Sequence, residues 1–136
     1  MRRITLIVVH CSATRCDRPF TVTALIRCHR DRFGYTGYHY YVTRDGQTYQ
    51  TRHLQLVGAH ARGHNAHSIG VCYEGGLNPD GQPADTRTTA QRRALRQLLT
   101  QLRRQFPEAR ITGHRDLPSV SKACPCFNAE AEYATL

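Results

Sequence analysis

The stretch Ile4-Thr5-Leu6-Ile7-Val8-Val9 is almost wholly apolar and rich in β-branched residues. A run without polar alternation reads as a strand covered on both faces, so the chain needs packed layers on either side of a sheet. The run also delivers a histidine, His10, at its C-terminal end. Thr21 to Phe33 sets Val22, Leu25, Ile26, His29 and Phe33 at helical spacing, with Gly34 as the stop. Tyr38 to Arg44 and Gln47 to Thr51 flank Asp45-Gly46, a strong hairpin signal. Ile69 to Tyr73 reads as another buried strand, followed by a turn at Asn78-Pro79-Asp80-Gly81. Thr88 with Gln91 makes a capping box for a helix reaching about Gln105, with an apolar stripe of Ala94, Leu95, Leu98, Leu99, Leu102 and Phe106. Arg110 to Gly113 is a short strand leading into His114, and the tail from Asp116 is irregular apart from a helical turn near Ala129 to Tyr133. Strands interspersed with helices predict an α/β fold, a central mixed β-sheet with flanking α-helices.

The 136 residues suit one domain spanning 1–136, and a hydrophobic share of 40% is enough to give it a core. The net charge of +9 favours a polyanionic partner: nucleic acid, anionic lipid or an acidic wall polymer. No compact Lys/Arg block of the nucleic-acid-binding kind occurs, and Arg92, Arg93, Arg96, Arg103 and Arg104 fit a solvated helix face. No apolar run approaches the ~18 residues of a membrane span. Met1 to Val9 lacks the long apolar region and cleavage site of a signal peptide. These features predict synthesis in a reducing cytoplasm, with the six cysteines mostly as thiols or metal ligands. Cys28 and Cys72 read as small core residues.

Eight histidines and six cysteines can build a metal site, but no HExxH or paired CxxC names its ligands. Position is the better guide. His10 and His114 each follow a predicted strand, where functional groups gather at a sheet edge, and Cys124 lies in an irregular segment able to fold back over that edge. Two imidazoles and one thiolate leave a fourth position of zinc open for water, the arrangement of a catalytic site. Eighteen of the 19 basic residues are arginine, and the one lysine, Lys122, stands two residues before Cys124.

The chain resembles the zinc-dependent N-acetylmuramoyl-L-alanine amidases, the family that includes amidase-type bacteriophage lysozymes and peptidoglycan recognition proteins. The matching segments are Val8-Val9-His10-Cys11-Ser12-Ala13-Thr14, Gly37-Tyr38-His39-Tyr40 with Arg44-Asp45-Gly46, Gly58-Ala59-His60-Ala61-Arg62-Gly63-His64-Asn65 leading to Ser68-Ile69-Gly70-Val71-Cys72, Gly113-His114-Arg115, and Lys122-Ala123-Cys124-Pro125. They occur in the family's order over roughly residues 4–128. The resemblance implies one Zn2+ per chain held by His10, His114 and Cys124, with Tyr38 and Lys122 as catalytic residues and His60 and Asn65 lining the substrate groove. It implies hydrolysis of the amide bond between N-acetylmuramic acid and L-alanine in peptidoglycan. Two positions depart from the pattern. Cys126 replaces a small residue and rivals Cys124 as ligand, and Asn128 stands where relatives often carry Asp.

The expected partner is peptidoglycan, with neither nucleic acid nor membrane, and the expected state is a monomer. Without a signal peptide, such an enzyme would reach the wall after release, or act on wall fragments in the cytoplasm. A recognition module that holds muropeptides without cutting them is the alternative, and the presence of Cys124 argues against it.

Overall fold

A computed structural model describes all 136 residues. Its elements are β1 (Leu6–Cys11), β2 (Thr14–Arg15), α1 (Val22–Phe33), β3 (Tyr40–Val42), β4 (Thr48–Gln50), β5 (Ser68–Tyr73), β6 (Gly76–Leu77), α2 (Thr89–Gln105), β7 (Arg110–Gly113) and α3 (Ala129–Glu132). Five strands form one sheet in the order β4-β3-β5-β1-β7. The β3, β5, β1 and β7 strands run parallel and β4 is antiparallel, which makes the sheet mixed as expected. Both long parallel strands, β1 and β5, are buried at every position. That explains their lack of polar alternation.

Alternation still decides which face each residue serves. Ile7, Val9 and Cys11 of β1 and Ile69, Val71 and Tyr73 of β5 pack with Leu95, Leu98, Leu99 and Leu102 of α2. Leu6 and Val8 of β1 turn the other way, to Ala61 and Leu117, and Cys72 of β5 packs with Leu25 of α1 and Tyr41 of β3. The second face is therefore covered by α1 and by loops, which leaves room for a groove.

The α2 helix starts as its capping box predicts: the Gln91 backbone N–H donates to Thr88 Oγ1, and Gln91 Oε1 accepts from the Thr88 N–H. Gln91 is fully buried because its amide also donates to the Val42 and Glu74 carbonyls, tying the helix to two strand ends. In α1, Leu25 alone is buried. Cys28 is exposed on that helix, contrary to the expected core position, because it lies off the face that packs. Cys72 is buried as expected, and all six cysteines are free.

The β3–β4 hairpin is shorter than its pattern suggested. The Thr43 N–H donates to the Gln47 carbonyl and the Gly46 N–H to the Thr43 carbonyl, with Gly46 at φ +84°. A longer loop with a left-handed glycine thus replaces the two-residue turn. The ribbon of β2 and β6 has two residues per strand, too few for any periodicity to register.

Candidate metal centre

His10 belongs to the groove-side set of β1 and is 2% exposed. His114 follows β7 in a tight turn over His114–Asp116, anchored by the Gly113 N–H donating to Asp116 Oδ2 at 3.0 Å. Cys124 comes from the irregular segment beyond. That segment is pinned where the Arg115 N–H donates to the Cys124 carbonyl at 2.8 Å and the Cys11 N–H points at Cys124 Sγ at 3.2 Å. Strand ends on β1 and β7 thus supply two imidazoles, and a returning loop supplies the sulfur.

The donor atoms of His10, His114 and Cys124 all lie within 4.8 Å of one another, with His10 Nδ1 3.9 Å from Cys124 Sγ. Tetrahedral zinc, with bonds of about 2.0–2.3 Å, spaces such donors roughly 3.3–3.7 Å apart. A small inward movement would therefore seat the ion, and a donor set of two imidazole nitrogens and one sulfur suits it. Burial, and then the neighbouring His60 and His114, hold His10 well below the ordinary imidazole pKa; burial, and then Lys122, lowers His114. Both rings are thus neutral at neutral pH, the form that binds metal.

Cys126 points elsewhere. At φ +69° its backbone turns, placing Sγ 3.9 Å from Cys11 Sγ and 3.3 Å from the Gly76 carbonyl. Of the two rival sulfurs, only Cys124 joins the histidines. Asn128 is the N-cap of α3, its Oδ1 accepting from the Ala131 N–H.

Tyr38 stands in the loop before β3, its ring centroid 5.0 Å from that of His10. Burial first, and then Cys72, Cys124 and Cys11, raise its pKa well above the ordinary phenol value, so it remains a protonated donor. Lys122 is exposed at the rim of a groove of about 710 Å³ that also reaches His10, Tyr38, His60, Asn65, His114 and Cys124. All seven predicted site residues line this one groove. His60 and Asn65 also have partners within the protein. Asn65 Oδ1 accepts from the His60 and Ala61 backbone N–H groups, and the His60 ring meets His10.

Sequence reasoning gave His29 no role, yet it lines the groove. Its Nδ1 accepts the Gly37 N–H at 2.8 Å and its ring lies 5.0 Å from Tyr38, so it braces the tyrosine's loop. Its place on the sparsely buried face of α1, one turn before Phe33, was the available signal. His39, by contrast, is buried with both ring nitrogens bound to backbone, at Leu56 and Gly70.

Residues 1–127 match the family described as N-acetylmuramoyl-L-alanine amidase. An endolysin of Klebsiella phage KP32 is 39% identical over 124 residues, covering 90% of this chain and 80% of its own length. Among solved structures, the N-acetylmuramoyl-L-alanine amidase LysC from Clostridium intestinale superposes with a TM-score of 0.79 at 28% identity, covering 96% of this chain and 82% of that one. Drosophila PGRP-LB shares the fold with a TM-score of 0.76 at 19% identity, over 99% of this chain and 82% of its own. With its motifs in register and nearly its whole length matched, the chain belongs to the N-acetylmuramoyl-L-alanine amidase family.

Proposed function

We propose that this chain, acting as one domain over residues 1–136 and as a monomer, hydrolyses the amide between N-acetylmuramic acid and L-alanine in peptidoglycan with one zinc ion held by His10, His114 and Cys124. The convergence of two neutral imidazoles and one sulfur at the floor of a groove carries this reading. When bound, zinc supplies a Lewis acid that activates water near neutral pH and polarises the scissile carbonyl.

The chain's own residues do the rest. Attack on the lactyl carbonyl develops negative charge on its oxygen, and a cation and a hydroxyl donor aimed there stabilise the transition state more than the ground state. Lys122, at the groove rim, offers the cation and can pass a proton to the departing alanine amine. Tyr38 offers the hydroxyl, kept protonated by its burial. His60 and Asn65 shape the groove wall on the side of β5. No helix is long and apolar enough to cross a membrane. Its relationship to phage endolysins points to the cell wall as the site of action.

The test is a digest of purified walls. New amino termini without new reducing sugar ends are expected, together with about one zinc per chain, and Cys124→Ala should lose both metal and cleavage. Wall binding without product, or cleavage that persists in metal-free protein, would overturn the proposal.

A further inference from the structure

The ring behind the first metal ligand is built into the fold. His60 comes from the loop between β4 and β5, and its Nδ1 lies 2.9 Å from His10 Nε2. Its other nitrogen, Nε2, lies 3.2 Å from Ser68 Oγ, at the start of β5. Beneath the ring is Gly70, in the middle of the same buried strand. A Cβ there would come within 2.6–2.9 Å of three His60 ring atoms, so only glycine leaves the imidazole its seat. Gly58 is similarly close, with a Cβ meeting the ring at 3.0 Å. A glycine inside a strand weakens it and marks a close approach. Here the approaching group is a histidine aimed at a metal ligand.

We infer that His60 is a positioning residue that fixes the tautomer and orientation of His10, with Ser68 as its own anchor. The inference rests on the zinc reading above. His10 faces Cys124 through Nδ1, so the nitrogen free to carry hydrogen is Nε2. That N–H donates to His60 Nδ1, which must then be bare. The His60 proton sits on Nε2 and is donated to the Ser68 hydroxyl oxygen. One consistent set of protons thus runs from ligand to strand, and it presents the His10 Nδ1 lone pair to the ion. Metal-binding histidines are commonly held this way through their second nitrogen, and losing such a partner costs about 10–100-fold in metal affinity. In this chain the partner is a neutral imidazole rather than a carboxylate. It orients His10 without adding negative charge beside a site that already holds a thiolate.

The experiment measures zinc affinity of the full chain by competition with a chromophoric chelator, alongside the visible spectrum of the cobalt-substituted protein. His60→Leu should bind zinc about 10–100-fold more weakly and shift the cobalt bands. His60→Gln, whose amide oxygen can accept from His10, should recover most of that affinity. Ser68→Ala should fall between them. In the wild type, nitrogen-15 NMR should find His60 protonated on Nε2 and bare on Nδ1, a readout that needs no variant to fold. His60→Leu within threefold of wild type, or His60 protonated on Nδ1, overturns this inference while leaving the hydrolytic proposal standing. A wild type that takes up no zinc overturns both.

Discussion

Lys122 and Cys124 are separated by one residue, yet chemistry asks different things of them. The sulfur reaches inward to the histidines, whereas the amine stays at the groove rim. Lys122→Ala should therefore keep its zinc and lose roughly 100-fold or more in kcat, the usual scale for a positioned acid or charge. Lys122→Arg should restore the charge but little of the rate, because a guanidinium does not give up its proton. Zinc content measured beside the release of amino termini separates these outcomes, and a fully active Lys122→Ala would remove the residue from the mechanism. Individual residues were unevenly legible in the sequence. His10 and His114 announced themselves by ending strands. Cys124 belongs to no regular element, so its position offered only a segment able to reach the sheet edge, and the family resemblance strengthened that reading. His60's contact with His10 was invisible, because it depends on Ser68 and Gly70 across a loop closure that no local pattern encodes.

Between residue and molecule, the weakest element by its own merits is α3. Four residues cannot hold a helix through backbone bonds alone. Its support comes from Arg87, whose side chain is 1% exposed and forms paired hydrogen bonds to both Asp85 and Glu132, with the guanidinium 3.4 Å above the Phe127 ring. The Arg87 hydrogen bonds hold the Glu132 carboxyl below its ordinary value. Arg87→Met should lower stability by about 2–3 kcal/mol, less than a fully buried pair would cost, because the two acids left behind are partly solvated. Urea midpoints at neutral pH check this, and an unchanged midpoint would show that the clamp contributes nothing. Such a clamp joins residues 45 apart and was unreadable beforehand. By contrast α2, with its capping box and leucine stripe, was legible because every signal it needs lies within its own length. The β2–β6 ribbon was missed for the opposite reason, since it exists only through pairing.

At the scale of the whole molecule, the groove face gathers imidazoles that burial keeps neutral. Burial, opposed by a bond to the Leu56 carbonyl, lowers His39 to about 4, and burial, followed by His39, lowers His60 to about 3. The sign of the consequence follows from linkage. Above pH 7 neither the folded nor the unfolded chain protonates these rings, and their contribution to stability is complete. As pH falls through about 6.5 the unfolded chain takes up protons that the folded chain refuses, so stability declines until the folded values are reached. For His39 alone that interval, from about 6.5 down to about 4, can remove at most about 3 kcal/mol. The metal-free chain should therefore lose stability steadily from pH 7 to pH 5, a range in which most carboxylates remain ionised. His39→Gln should be less stable at pH 7 but show a shallower slope, since its amide can still bond backbone but cannot titrate. Urea denaturation at several pH values reads both slopes, and a flat wild-type profile would mean that these histidines reach water. Zinc should steepen the profile further, because protons compete with the ion for the same imidazoles and its contribution disappears as they win.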